Sequence, residues 1–379
     1  MRMLIAIGAY FPALNFGGPV ISIDNICRQL QGDIDFYIVT LDHDLKSSKR
    51  LRRIKEGWND IGYANVLYLS DKEVNYKNLY AIIESINPDI IYTNNFFWGQ
   101  FTVPFFRIAK KTGRRLIVAP RGEFFENAMN KKYKKLPYTY LMRKLYMGDN
   151  IFFHATSQSE SIQFKKYMKI SDSSMFILPN MATLVDVDEP DNISDRKVLK
   201  VVYLARIHES KNLLYALDIL SEISFPVVFD IYGNIENRLY WEACENKIKS
   251  LNDNIKVNYQ GIAERSQIQS IFASHHVFLF PTITENFGHS ISESLLSGCP
   301  AIISDNTPWN WVNKEKFSYA LPLCDKQAYI HVLTDIYEMP DDSYLSMRKT
   351  CKTKTREHLN ARELAEQYKA VFLKIAEKG

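Results

Sequence analysis

"VFLFPTITENFGHSISESLLSGCPAIISD", residues 277–305, reads as a strand, a loop, a helix and a second strand in close succession. "VFLFPT" is a short, almost wholly apolar run, the pattern of a strand buried on both faces. "HSISESLLSG" has helical spacing, with Ile291 and Leu295 on one side and Gly298 as a stop. "PAIISD" is again a short apolar strand. Two strands joined by a helix run parallel, so the stretch is a βαβ unit. Ligands of such sheets sit beyond the carboxyl ends of the strands. The loop Thr284–Gly288 is therefore where chemistry is expected.

The same alternation extends outward. "VLKVVYLA", "VVFDIYG" and "IKVNYQG" read as strands, separated by the helical runs "KNLLYALDILSEI", "YWEACENKIKSL" and "RSQIQSIFASH". The first half repeats the scheme, with "MLIAIGAY", "DFYIVTL", "DIIYTN", "RLIVAP", "NIFFHAT" and "MFILPN" as strands. Between them lie "PVISIDNICRQL", "NLYAIIESI", "QFTVPFFRIAKKTG" and "SQSESIQFKKYM" as helices. The acidic, aperiodic stretch Val185–Lys197 reads as a linker. The expected class is α/β, with two doubly wound, Rossmann-like domains over residues 1–188 and 189–356. A final amphipathic helix carries Leu364, Tyr368, Val371 and Ile375 on one stripe.

Composition narrows the function. The 379 residues are 46% hydrophobic and 24% charged, with a net charge of +4. That balance suits an anionic small ligand or an anionic membrane surface and falls short of a nucleic-acid binder. The five cysteines, Cys27, Cys244, Cys299, Cys324 and Cys351, are scattered and form no CxxC pair. This argues against a disulfide framework or zinc site and for a reducing cytosol. Residues 3–23 lack charge, but Pro12, Asn15, Gly17, Gly18 and Pro19 break any membrane span or signal segment.

Arg206 stands just past a strand end, and Lys211 falls at the first turn of the following helix. A cation there opposes the helix dipole, and a phosphate between Arg206, Lys211 and helix amides resolves the conflict. In the opening stretch, Gly288 and the first amides of the next helix form a second anion site. Glu293 lies one turn in and leans back toward that end, while Glu285 reaches it from the loop. Carboxylates match the vicinal hydroxyls of a sugar or ribose. The bland alternative makes Glu285 a surface acid and Glu293 a helix-face acid. It is better for either glutamate alone and weaker for the set. DxD tripeptides at Asp42–Asp44 and Asp186–Asp188, in a loop and in the linker, follow no strand that could aim both carboxylates at a pyrophosphate, so a metal site is not expected.

"TENFGHSISESLLSGCPAIISD" resembles the E-x7-E segment of glycosyltransferase family 4, and Arg206 with Lys211 resembles that family's "G-R-x…K" pair. Gly17-Gly18 in "FGGP" is similar to its N-terminal glycine loop, and "NPDIIYTN", "APRGEF" and "ILPN" to further segments. The likeness runs almost end to end and is nearest to bacterial surface-polysaccharide (O-antigen or capsule) members. It implies a GT-B fold, two domains facing a central cleft, with the helix near 357–379 returning to the first. It implies a metal-independent, cofactor-free retaining transferase using a UDP- or GDP-sugar. Carried over, Glu293 holds the ribose and Glu285 the donor sugar. Arg206 and Lys211 hold the diphosphate, with Asn286, Phe287 and Gly288 beside it, and Gly17 and Gly18 approach from the first domain. The base lies near Gly233 and Gly261-Ile262. Asn286 replaces the family's usual glycine, and Arg121 stands where many members have histidine. Arg121 is expected to place positive charge by the leaving diphosphate or by an anionic substrate.

Arg121 stays protonated and so cannot be a general base, leaving His154 and His289 as the nearby candidates. No carboxylate is placed as a nucleophile. The expected mechanism is therefore front-face displacement, in which the departing diphosphate takes the acceptor's proton. The acceptor implied is a glycan or polyprenyl-linked glycan. The basic, aromatic-interleaved segment Asn130–Met147 is either a docking face for the inner surface of the cytoplasmic membrane or a solvated helix pair with Tyr and Leu packed inward. A nucleotide-sugar 2-epimerase and a non-catalytic nucleotide-sugar-binding subunit are the alternative functions.

Overall fold

The computed structural model describes residues 1–377 except 14–16, 45–46, 126–127, 130–131, 185–192 and 194. The chain divides into two compact units, Met1–Met181 with Ala361–Gly379, and Ala182–Asn360.

In the first unit the strands are β1 (Arg2–Ala6), β2 (Asp35–Leu41), β3 (Trp58–Asp60), β4 (Asn65–Leu69), β5 (Ile90–Asn94), β6 (Arg115–Ala119), β7 (Ile151–Ala155) and β8 (Met175–Ile177). They form one sheet in the order β3-β4-β2-β1-β5-β6-β7-β8, parallel except for the edge pair β3–β4. The helices are α1 (Gly18–Leu30), α2 (Tyr76–Ile86), α3 (Gly99–Thr112), α4 (Lys132–Tyr146) and α5 (Gln158–Met168). β1 is buried on both faces. Met3 and Ile5 enter one core cluster, while Leu4 and Ala6 enter the other, so its apolar residues run on without alternation. Gly113, left-handed with φ 73°, ends α3, and Ser157 caps α5 by accepting the Glu160 N–H.

The second unit has β9 (Leu199–Leu204), β10 (Val227–Tyr232), β11 (Ile255–Gly261), β12 (Val277–Phe280), β13 (Ala301–Ser304) and β14 (Tyr319–Leu321), all parallel, in the order β11-β10-β9-β12-β13-β14. Its helices are α6 (Leu213–Leu220), α7 (Arg238–Lys249), α8 (Ile268–Ala273), α9 (His289–Leu296), α10 (Val312–Glu315), α11 (Lys326–Glu338) and α12 (Asp341–Leu359). The strand order reverses direction between β9 and β12, which pair through Val201–Val277 and Val202–Phe278. That switch point opens a crevice at their carboxyl ends.

Asn360, left-handed with φ 36°, breaks the chain before the last helix, α13 (Ala361–Glu377). The buried stripe of α13 is Leu364, Tyr368, Phe372 and Ile375, packed into the first unit's core. Phe372 therefore replaces the expected Val371, which is only partly buried, because the i, i+4 step from Tyr368 lands on residue 372. The basic segment is one helix rather than a pair, since α4 runs through Pro137. The linker expected at Val185–Lys197 falls mostly on residues outside those described. Among the described residues no helix is long and apolar enough to cross a membrane.

Candidate functional site

Three loops of the second unit carry most of the expected residues. After β9, Ile207 forms an isolated parallel bridge with Ile235. The Ile207 N–H donates to the Asn234 carbonyl at 2.8 Å, and the Glu236 N–H donates back to the Ile207 carbonyl at 3.1 Å. Gly233 permits this close approach, since a Cβ there would lie 1.8 Å from the Ala205 carbonyl oxygen. The two loops so clasped bring the Arg206 guanidinium onto the Glu236 carboxylate. The Gly233 N–H also donates to the Gly261 carbonyl at 2.8 Å. Gly261 is left-handed (φ 78°), and Ile262 beside it is exposed.

Lys211 lies in a 3-10 turn, Glu209–Lys211, before a left-handed Asn212 and the start of α6. It is thus outside the first turn of the helix, and the expected clash with the helix dipole does not arise. The His208 Nδ1 accepts the Ser210 N–H and holds the turn. The β12 loop is tied to this turn. Thr282 Oγ1 and the Ile283 N–H both donate to the Ser210 carbonyl at 3.0 Å. Asn212 Nδ2 donates to the Pro281 carbonyl at 2.9 Å. The result is a direct ion pair between Lys211 and Glu285, each only about one-seventh exposed.

Gly288 is the N-cap of α9 with φ 80°, and an added Cβ would meet Ile291 Cδ1 at 2.8 Å. Glycine is needed there on both counts. The Phe287 carbonyl accepts from Trp309 Nε1 at 2.5 Å, fixing the entry to the helix. Asn286 is exposed and keeps a negative φ, so the loop makes no demand for glycine at that position. The Ile291 and Ser292 N–H groups donate to the Gly288 carbonyl at 3.0 and 3.1 Å, which sets the start of the helix at the loop that carries Glu285.

Glu293 lies one turn in with its side chain 2% exposed. It forms an ion pair with Arg265 and accepts from Thr183 Oγ1 at 3.1 Å. Arg265 also donates to Thr183. A buried carboxylate needs such partners. Neither Arg265, Thr183 nor Glu236 was legible as a site residue, because their partners lie 28, 110 and 30 residues away. The local signal was the position of Arg265 and Glu236 just past strand-end glycines, Gly261 and Gly233.

In the first unit, Gly17 (φ 65°) is the N-cap of α1 and Gly18 its first residue. Arg121, left-handed with φ 51°, donates from Nε to Asn94 Oδ1 (2.7 Å), from Nη1 to Asn180 Oδ1 (2.6 Å) and from Nη2 to the Tyr92 hydroxyl (3.0 Å). The chain of bonds continues. The Tyr92 hydroxyl meets His154 Nδ1 at 2.7 Å, and His154 Nε2 meets the Leu178 carbonyl at 2.9 Å. Because a carbonyl only accepts, the histidine proton sits on Nε2 and the tyrosine donates to Nδ1. Burial, aided by the Arg121 charge, pushes His154 down to about 3. His154 is therefore a neutral, fully engaged core histidine. His289 is buried with its ring 4.8 Å from that of Phe287. Of the two DxD tripeptides, Asp42–Asp44 lies in a loop after β2, and Asp186–Asp188 falls outside the described residues. Among the described residues no group of three or more His, Cys, Asp or Glu is arranged to hold a metal ion.

Residues 186–358 match the family model described as "Glycosyl transferases group 1". No curated protein matches the chain. Among solved structures, sucrose-phosphate synthase from Thermosynechococcus elongatus is similar at 13% identity and TM-score 0.74, covering 99% of this chain and 98% of that one. Anabaena HepE, in complex with UDP and glucose, is similar at 12% identity and TM-score 0.73, covering 99% and 100%. An α,α-trehalose-phosphate synthase (UDP-forming) from Burkholderia xenovorans is similar at 10% identity and TM-score 0.70, covering 98% and 100%. These likenesses show the fold, GT-B, with its two doubly wound α/β units. The chain thus has the GT-B fold, and the stretch that carries Arg206, Lys211, Glu285 and Glu293 is the part similar to the glycosyltransferase group 1 model.

Proposed function

We propose that the chain is a retaining glycosyltransferase of the family 4 type. It moves a sugar from a UDP- or GDP-sugar to a glycan or polyprenyl-linked glycan during assembly of a bacterial surface polysaccharide. The observation that carries the donor reading is the gathering of Arg206, Lys211, Glu285 and the Gly288 end of α9 at the β9/β12 switch point. In this reading Arg206 and Lys211 hold the diphosphate, Glu285 the donor sugar and Glu293 the ribose. The bond from the anomeric carbon to the diphosphate oxygen breaks as the acceptor oxygen bonds to the same face of that carbon. The departing diphosphate oxygen takes the acceptor proton. The cations stabilise the charge that develops on the diphosphate, so the proposed reaction needs no metal ion. Thermal-shift titration with nucleotide-diphospho-sugars tests the reading, because a ligand of the native state raises Tm. A UDP- or GDP-sugar should raise Tm by several degrees. The absence of any shift across the set would sink the donor assignment.

The acceptor side is supported by α4. Tyr133 is 71% exposed, Tyr140 55% and Leu141 50%, with Leu136 and Leu145 also exposed, whereas Thr139 and Met142 are buried. Most of its Tyr and Leu thus face outward among Lys132, Lys134, Arg143 and Lys144, against the inward-packing alternative. Apolar rings among cations suit an anionic membrane surface. The protein should co-sediment with phosphatidylglycerol vesicles and far less with phosphatidylcholine ones. Binding unchanged in a Tyr133→Ser, Tyr140→Ser, Leu141→Ser variant would remove the membrane reading.

A further inference from the structure

The two cations assigned to the diphosphate are both already engaged. Lys211 is paired with Glu285 and Arg206 with Glu236. The four side chains sum to zero formal charge, which is a poor receptor for a dianion or trianion. A diphosphate can use both cations only if a carboxylate moves off its partner. Glu285 has its own task in the reading above, holding the donor sugar, and its loop is fixed to Ser210 by Thr282 and Ile283. Glu236 has no such task. Its pairing is nonetheless built in, because its backbone is bonded to Ile207 on the Arg206 loop and the next residue, Asn237, caps α7. The Arg206 side chain remains 45% exposed and that of Glu236 23%, so the pair can open without disturbing the core.

We propose that Glu236 is an internal counter-ion of the donor site: it occupies Arg206 in the empty protein and yields it only to a ligand carrying enough negative charge. This rests on the nucleotide-diphosphate reading and adds a specificity-determining residue to it. A nucleoside diphosphate offers phosphoryl oxygens on two phosphorus atoms and displaces the carboxylate. A nucleoside monophosphate offers one phosphate and competes poorly. Glu236 thereby penalises monophosphates more than diphosphates, and removing its charge lifts that penalty.

Isothermal titration of UDP, UMP, GDP and GMP into the full chain and its Glu236→Gln, Arg206→Gln and doubly substituted forms tests the proposal. Glu236→Gln should bind the preferred diphosphate about three- to fivefold tighter, the range of a partly exposed ion pair. It should also narrow the monophosphate-to-diphosphate affinity ratio. Arg206→Gln should weaken diphosphate binding, and adding Glu236→Gln to it should bring no further gain. A purely structural Glu236 would instead lose affinity on substitution. Unchanged or weaker binding by Glu236→Gln, or a gain that persists without Arg206, overturns the proposal while leaving the nucleotide reading intact. Failure of the parent protein to bind any of the four overturns both.

Discussion

Each unit places arginine at the carboxyl ends of its strands, and the two surround it differently. In the first unit Arg121 is held by three neutral oxygens, from Asn94, Asn180 and Tyr92, and those lead on to a neutral His154. In the second unit Arg206, Lys211 and Arg265 each face a carboxylate, from Glu236, Glu285 and Glu293. Neutral acceptors can satisfy a cation without cancelling its charge, so the first cluster is a fixed framework that keeps a positive centre. Carboxylate partners cancel the charge, and an anionic ligand can compete for the same cation. The first arrangement is built to stay, and the second can exchange.

The largest effect separates these two roles. Replacing Glu285 by Ala should cut sugar transfer by about 10²–10³-fold, the scale of losing one preorganised polar contact to the reacting group. Tm should fall only modestly, because the stranded Lys211 keeps about one-seventh of its side chain exposed and can turn toward water. Steady-state turnover beside calorimetry checks both halves. A large fall in Tm would move Glu285 into the framework class.

Arg121→Gln probes the opposite case. It strands the Asn94 and Asn180 oxygens, both residues at most 6% exposed, and should cost about 2–4 kcal/mol in denaturant unfolding. An unchanged midpoint would mean that Arg121 is no framework residue.

The same cluster gives a pH signature. His154 falls from 6.5 to about 3 on folding. The unfolded chain therefore binds the extra proton first, and this stability is complete above pH 6.5 and lost as pH falls toward 3. Glu123 works in the other direction. Its carboxyl, buried against the Phe96 and Phe97 amides, rises from 4.5 to about 7, so its contribution is present below 4.5 and lost as pH rises through 7. Between 4.5 and 6.5 the two offset each other, so the His154 contribution is read as the difference in slope between parent and His154→Gln. The variant should show a flatter Tm profile than the parent from pH 3 to 4.5 and a downward slope from 4.5 to 6.5, where the parent stays level. An identical slope would show that His154 does not carry the effect.

The smallest effect belongs to the third ion pair. Arg265→Lys keeps a charge on Glu293 but cannot also reach Thr183 in the fixed fork of a guanidinium. Donor affinity should fall by roughly three- to tenfold, with kcat nearly unchanged. A fall in kcat with KM untouched would place Arg265 nearer the reacting atoms than the ribose.

What the sequence exposed follows from which patterns are local. β12, α9 and β13 were readable because each is a pure apolar or helical run bounded by proline or glycine. α12 was not, since its buried positions are Tyr344, Met347, Arg348, Cys351 and Thr355. Its stripe includes a fully buried arginine that donates to the His275 and Ala273 carbonyls at 2.9 Å, and an apolar-period search passes over it. β3 and β4 were missed for a similar reason. They are an antiparallel edge pair of partly buried, mixed residues, and no helix separates them. At the site, Arg206 with Lys211 and Glu285 with Glu293 were visible through spacing along two short segments. Their counter-charges come from other loops and needed the fold to bring them near.

The return of α13 to the first unit has a consequence for how the protein is made. The second unit is one continuous stretch, Ala182–Asn360, whereas the first is closed only by a helix synthesised after it. On the ribosome the second unit can finish folding first, while the first unit's sheet waits with the Met3 and Ile5 face of β1 lacking the Tyr368 and Phe372 side chains that complete its core. Residues of β1, made before the whole second unit, are therefore among the last to be sealed from water.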